Sequence, residues 1–246
     1  MSKRPHALAL LAALAASPAQ ALVGESAQGG PMAPHVAMIL TSRAAGAGFC
    51  TGVVIAPGAI LTAAHCMADL KDMRILVKGE TALTFIEPAA LAIHPDYRAK
   101  AVQTRERSID LAIIKTDSRL PEGLKPLAFD DRAPQLDGLY GVAGFGVTRE
   151  GAGKTGGLLR WGALKTRAPL SKILLWAEDP KARGFGACEG DSGGPVFALD
   201  TSALVAITSW SAGEGKTRCG KLTQAALIAP QRAWIERVLR GWGLAR

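Results

Sequence analysis

Short runs of β-favouring residues, separated by Gly and Pro, recur along most of this chain. Examples are Cys50–Ile55, Arg74–Val77, Ile109–Ile114 and Leu204–Ile207. Regular short strands with turn residues between them are typical of β-sandwiches and β-barrels. A length of 246 residues suits one large all-β domain or two small ones. We therefore predict an all-β fold.

The C-terminal end follows a helical pattern instead. Pro230 suits the first turn of a helix, and Gly241 suits its end. Between them lies one apolar stripe of the kind that packs against a core, formed by Trp234, Ile235, Val238 and Leu239. We predict an α-helix over about 230–241 that packs on the β-structure.

The first 21 residues have the pattern of a secretory signal peptide. A short basic stretch precedes an apolar run over Ala7–Ala16, and Ala19-Gln20-Ala21 matches a signal-peptidase site. The apolar run is too short for a membrane anchor, which needs about 20 residues. We predict a mature chain over 22–246 that is secreted or periplasmic, with no membrane span.

Cysteine usage agrees with export. Four cysteines are present, an even number that in an exported protein indicates two disulfides. Their positions alone leave three possible pairings. No C-x-x-C is present and histidine is scarce, so we expect no metal site. The cysteines are Cys50, Cys66, Cys188 and Cys219.

The formal charge is +8, and removal of Lys3 and Arg4 with the signal peptide leaves +6. The basic residues are scattered, so we read the charge as serving solubility and expect no nucleic-acid partner. A glycine-rich stretch over 151–157 lacks the spacing of a phosphate loop, and we interpret it as a surface loop. We expect no cofactor.

Gly190-Asp191-Ser192-Gly193-Gly194 is the segment with the clearest chemical meaning. A serine between glycines is exposed on a tight turn, where the backbone N–H groups of Gly190 and Ser192 can point at one spot. Acyl transfer needs such donors for its oxyanion. Serine is a poor nucleophile by itself and also needs a base.

His65 is the best candidate for that base, because it ends an apolar run and precedes Cys66. The order along the chain then separates the serine hydrolase architectures. No His follows Ser192, which excludes the order of α/β-hydrolases, and no Asp lies between Leu22 and His65, which excludes the subtilisin order. The remaining order is His, Asp, Ser.

Asp110 is the best candidate for the acid. It lies within the apolar segment 108–114, where a buried charge is costly without a partner. A histidine ring that becomes cationic during the reaction is such a partner. Asp69, Asp72 and Asp96 lie in polar loops, where solvent accounts for them.

Together these motifs resemble the trypsin/chymotrypsin family of serine peptidases. The resemblance rests on residues 62–66, 110–112, 190–195 and 209–210, and extends from Leu22 to the final helix. It implies two packed six-stranded antiparallel β-barrels, over about 22–125 and 126–229, with the triad in the cleft between them. It also implies the disulfides Cys50–Cys66 and Cys188–Cys219.

The resemblance further implies a secreted, monomeric endopeptidase that acts on proteins or peptides through an acyl-enzyme. Ser209, Trp210 and Ser211 would pair with the substrate backbone. Gly186 occupies the pocket-base position at which trypsin-like enzymes carry an acid, so we expect small or medium uncharged residues before the scissile bond. Glu189 would lie at the pocket rim. The alternative is a binding protein on the same fold, using its basic surface without catalysis.

In this family a new N-terminus folds inward and its ammonium pairs with the Asp before the catalytic serine. Leu22-Val23-Gly24 resembles that N-terminus, and Asp191 is the corresponding acid. Because Leu22 directly follows the predicted signal-peptidase site, we expect export itself to generate the active enzyme. A chance match, with a true terminus a few residues away, is the alternative.

Overall fold

The computed structural model describes residues 22–24, 26–43, 46–78, 82–104 and 106–244. The predicted signal peptide over 1–21 lies outside these residues. Antiparallel strands dominate the fold and form two sheets of seven strands each. The all-β prediction, with two barrel-like sheets and a C-terminal helix, is confirmed.

The first sheet follows the order β6-β5-β2-β3-β4-β8-β7. Only Glu87 separates β6 from β7, so the chain passes directly from the strand paired with β5 to the strand paired with β8. Counted as one bent strand, β6 and β7 complete a six-stranded barrel. The strands are β2 (Val36–Arg43), β3 (Gly46–Ala56), β4 (Ala59–Thr62), β5 (Met73–Lys78), β6 (Leu83–Ile86), β7 (Pro88–Ile93) and β8 (Ala112–Thr116).

The second sheet closes on itself, because β9 pairs with both β10 and β12. The short β1 adds to the outside of this six-stranded ring by pairing with β10. The strands are β1 (Ala27–Gln28), β9 (Leu139–Gly144), β10 (Arg160–Thr166), β11 (Leu174–Glu178), β12 (Pro195–Ala198), β13 (Leu204–Ala212) and β14 (Leu222–Leu227).

Helical structure is sparse. The short α1 covers Ala101–Thr104, and α2 covers Arg232–Gly241 after a 3₁₀ turn over Ala229–Gln231 that contains Pro230. Further 3₁₀ turns cover Ala33–His35, Ala64–Cys66, Leu70–Asp72 and Gly153–Thr155. Among the described residues, no helix combines the length and apolar character needed to cross a bilayer.

Each barrel has its own apolar interior, and a third cluster joins them. That cluster combines Val53 and Leu61 of the first barrel with Phe197 and Ile207 of the second, and with Trp234 and Leu239 of α2. These side chains are at most 8% exposed. The helix thus contributes to the core that fixes one barrel against the other, and the catalytic candidates lie along this junction.

Candidate active site

His65 lies in the 3₁₀ turn Ala64–Cys66, just after β4, and Asp110 lies just before β8. Because β4 and β8 are neighbours in the sheet, the two residues meet. The ring Nδ1 of His65 lies 2.7 Å from Oδ2 of Asp110, and the backbone N–H of His65 donates to Oδ1 at 2.9 Å. One carboxylate therefore holds both the ring and the backbone of the histidine.

The hydroxyl of Ser209 also donates to Oδ2 of Asp110, at 2.5 Å. Burial opposes ionisation of Asp110, but the hydrogen bonds and charge of His65 and the Ser209 hydroxyl outweigh it. They hold the pKa of Asp110 below its usual value. The acid that the sequence analysis selected is thus ionised and oriented, and Ser209 acts on it directly.

Ser192 comes from the other barrel, in the loop before β12, and meets the first barrel through its backbone. Its carbonyl accepts the N–H of Thr51 at 2.8 Å. Thr51 follows Cys50, which is disulfide-bonded to Cys66, the neighbour of His65. A short network of covalent and hydrogen bonds therefore connects the candidate nucleophile with the candidate base.

In the serine loop (residues 188–194), the N–H groups of Gly190 and Ser192 have no hydrogen-bond partner among the described residues, and neither has that of the exposed Glu189. The N–H groups of Asp191, Gly193 and Gly194 donate to the carbonyls of Cys188, Thr208 and Asp191. Gly190 is buried with a φ of +95°, a conformation that favours glycine. The loop thus keeps free the pair of donors that the sequence analysis assigned to an oxyanion hole.

Gly186 lies against the start of β14. A Cβ at this position would meet the Cα of Gly220 at 3.2 Å and the hydroxyl of Thr223 at 3.4 Å. That hydroxyl accepts the N–H of Ala187 at 3.0 Å, and Thr223 pairs with Ser211 across the sheet. Sequence reasoning missed Thr223, since only the pairing of β13 with β14 brings it beside Gly186.

A cavity of about 480 Å³ lies beside the histidine and the acid. Trp210, which is 41% exposed, lines it together with Tyr97 and Leu174. The predicted substrate-binding segment 209–211 therefore lies next to His65. The second disulfide joins Cys188 to Cys219 and ties the serine loop to the segment after β13.

Glu189 is exposed, but its carboxylate already has a partner. The guanidinium of Arg218 lies 2.6 Å from Glu189 and 2.8 Å from Glu150, and the carbonyl of Arg218 accepts the hydroxyl of Ser211. The charge of Glu189 is therefore paired with that of Arg218 at the position where the sequence suggested a negative rim. No sequence pattern pointed to Arg218, because its two acidic partners are 29 and 68 residues away.

Asp191 is fully buried, and its carboxylate accepts the N–H groups of Gly146 and Cys188 at 2.8 and 2.9 Å. Within the described ranges, it has no cationic partner. Burial raises its pKa to about 7, against the opposing effect of these two N–H groups. Leu22 is also fully buried, and Val23 bridges to Gly186, so the predicted N-terminal segment lies in the same barrel.

Comparisons with known proteins agree with this geometry. The trypsin family, described as "Trypsin", matches residues 22–235. Human granzyme M is 31% identical over 215 residues, which cover 78% of this chain and 80% of that protein. A trypsin of Saccharopolyspora erythraea is 28% identical over 188 residues, covering 70% and 79% of the two chains.

Among solved structures, neuropsin, a serine protease expressed in the limbic system of mouse brain, has the same fold. The TM-score is 0.71 at 22% identity, over 87% of this chain and 99% of that one. The resemblance drawn from the sequence motifs is confirmed. This chain belongs to the trypsin family and is a trypsin-like serine endopeptidase.

Proposed function

We propose that the protein is a secreted endopeptidase that hydrolyses peptide bonds with Ser192 as nucleophile, His65 as general base and Asp110 as the orienting acid. The observation that carries this proposal is the pair of free N–H groups on Gly190 and Ser192, in the loop tied to His65 by Thr51 and the Cys50–Cys66 disulfide. An oxyanion needs such donors, held in place before the reaction.

In this mechanism, Nε2 of His65 takes the Ser192 proton as Oγ attacks the peptide carbonyl carbon. Asp110 stabilises the resulting imidazolium through Nδ1, while the N–H groups of Gly190 and Ser192 bind the oxyanion. The leaving amine takes the proton from His65, and an acyl-enzyme remains. Water, deprotonated by His65, then releases the acid and restores Ser192. All these groups belong to one chain, so a monomer suffices.

The pocket before the scissile bond should accept small or medium uncharged side chains. Position 186 supplies no anion, and Thr223 and Gly220 crowd it. A buried Lys or Arg of the substrate would therefore lack a charged partner, which is costly. A peptide library should show cleavage after such uncharged residues, and a profile dominated by Lys and Arg would contradict the proposal.

The test of the nucleophile is Ser192→Ala. Peptidase activity should fall on the order of a millionfold, and combining it with His65→Ala should add little, because the triad acts as a unit. Ser118→Ala, an exposed serine in the first barrel, is the matched control and should remain near wild type. Retention of a tenth of the activity in Ser192→Ala would exclude Ser192 as nucleophile.

The active form should begin at Leu22. Asp191 is buried and needs a cation, and the ammonium of a new N-terminus at Leu22 would supply it. Signal-peptide removal would then complete the enzyme during export to the periplasm or the medium. N-terminal sequencing of the secreted, active protein tests this, and full activity with any other first residue would refute it.

A further inference from the structure

Strand β3 of the first barrel contacts the serine loop of the second barrel, and Thr51 makes the hydrogen bonds of this contact. Thr51 is fully buried. Its N–H donates to the carbonyl of Ser192 at 2.8 Å, and its hydroxyl donates to the carbonyl of Gly190 at 2.8 Å. One residue therefore binds two carbonyls of the loop that carries the nucleophile.

The same hydroxyl accepts the N–H of Phe145 at 3.0 Å. The next residue along the chain, Gly146, donates to Asp191. The hydroxyl of Thr51 thus uses both its donor and its acceptor capacity inside the protein. It joins three segments, namely β3, the serine loop and the end of β9 that contacts the buried acid.

Gly190 is the residue whose carbonyl this hydroxyl binds. The N–H of Gly190 lies in the preceding peptide plane, and because glycine has two soft dihedral angles, the angle between that plane and the following one depends on how both are held. The carbonyl of Glu189, in the preceding plane, accepts the N–H of Val147 at 2.8 Å. The carbonyl of Gly190, in the following plane, accepts the Thr51 hydroxyl.

The following plane has one further restraint, since its N–H, that of Asp191, donates to the carbonyl of Cys188 at 3.1 Å. A Cβ at Gly190 would meet the ring of Phe49 at 2.2 Å and the Cα of Gly146 at 2.9 Å, so glycine is required here. With glycine, the backbone relies on hydrogen bonds for its direction. Removal of the Thr51 hydroxyl would take away one of the two hydrogen bonds that hold the following plane and leave a buried carbonyl unpaired.

We propose that Thr51 is a positioning residue for the oxyanion hole: its side-chain hydroxyl holds the Gly190 carbonyl, and with it the backbone conformation at Gly190, so that the Gly190 N–H faces the reacting carbonyl oxygen. This proposal rests on the proposed function, because it assigns the Gly190 N–H to the transition state of attack by Ser192. It adds a side chain of the first barrel to an oxyanion hole whose donors are backbone N–H groups of the second barrel.

The decisive variants are Thr51→Val, which keeps the shape and removes the hydroxyl, and Thr51→Ser, which keeps the hydroxyl. Thr116→Val is the matched control, since Thr116 is also buried in the first barrel and its hydroxyl donates to the backbone carbonyl of Ser118. All four proteins, wild type included, should begin at Leu22 and be compared at equal folded concentration, verified by thermal unfolding.

The readout is the rate constant for phosphonylation of Ser192 by a small fluorophosphonate. In this reaction Oγ bonds to phosphorus, fluoride leaves, His65 takes the proton, and the phosphoryl oxygen occupies the oxyanion hole. We expect Thr51→Val to slow it on the order of tenfold, below the hundredfold or greater cost of deleting a donor itself. Thr51→Ser should stay within about threefold, and Thr116→Val should match wild type.

Peptide hydrolysis supplies a second readout, with the best substrate of the library. Thr51→Val should lower kcat and leave KM nearly unchanged, because the oxyanion exists only in the transition state. Equal rates for Thr51→Val and wild type would overturn the positioning role, as would equal losses in Thr51→Val and Thr116→Val. Labelling of Ser192→Ala would instead overturn the proposed nucleophile.

Discussion

The partly buried Asp110 of the first barrel and the fully buried Asp191 of the second are two carboxylates near the candidate base and nucleophile, and burial acts to raise the pKa of both. At Asp110 the hydrogen bonds from His65 and Ser209 outweigh burial, so its pKa lies below the usual value. At Asp191 two backbone N–H groups do not suffice, and its pKa rises to about 7. Within the described chain, Asp110 has the partners that keep it ionised, whereas Asp191 has no positively charged partner.

The difference shows what each barrel contributes. In the first barrel, Asp110 is oriented and kept ionised by His65 together with the hydroxyl of Ser209, which comes from β13 of the second barrel. The serine loop of the second barrel contains a buried carboxylate that would become charged near neutral pH with two backbone N–H groups, but no cation of the described residues, to compensate it. We therefore expect Asp110 to affect activity by orienting and stabilising His65 during the reaction. We expect Asp191 to affect activity by keeping the serine loop ordered.

The largest effect should follow Asp110→Asn. The amide would favour the wrong tautomer of His65 and could not stabilise the imidazolium, so kcat should fall about ten-thousandfold. Steady-state hydrolysis of a peptide substrate measures this. Asp96→Asn is the control, since Asp96 is an exposed loop residue. If Asp96→Asn were the crippling change, the acid would be misassigned.

A smaller but still large effect should follow an extension of the chain before Leu22. One added residue displaces the ammonium from Asp191, so the serine loop loses its order while the barrels remain folded. Activity should fall on the order of a hundredfold or more, comparable with the loss of an oxyanion donor. Equal activity of the extended and native forms, at equal thermal stability, would show that Asp191 needs no N-terminal partner.

The smallest effect concerns stability against pH. In the extended form, Asp191 keeps its proton up to about pH 7, whereas an unfolded Asp loses it near pH 3.9. Between these values the folded state binds more protons, so stability should fall as pH rises, by at most about 1.4 kcal/mol per pH unit. Urea unfolding at several pH values measures this slope.

Asp191→Asn in the extended form should remove this downward slope. Asp110 acts in the opposite sense, because its lowered pKa stabilises the folded state above the unfolded pKa of an Asp. That contribution should disappear as pH falls through the folded pKa of Asp110. A downward slope that persisted in Asp191→Asn would assign the effect to another group.

The pattern of short strands predicted the all-β fold, and motif spacing with chain order selected His65, Asp110 and Ser192. Both depend on local chemistry that each segment carries by itself, such as a carboxylate in an apolar run. The contacts of Thr51, Thr223 and Arg218 could not be predicted this way. The hydrogen-bond partners of these three side chains lie 29 to 139 residues away, with no pattern that links them.

The amino-acid sequence by itself therefore determined the fold class and selected the candidate reacting groups, because strand periodicity and residue type act over short distances. The tertiary structure alone decided which hydrogen bonds restrain the serine loop and which carboxylates are compensated. Those outcomes depend on how two barrels pack against each other. Packing brings Thr51 to Gly190 and leaves Asp191 without a cation among the residues that the structure describes, and neither follows from the neighbours along the chain.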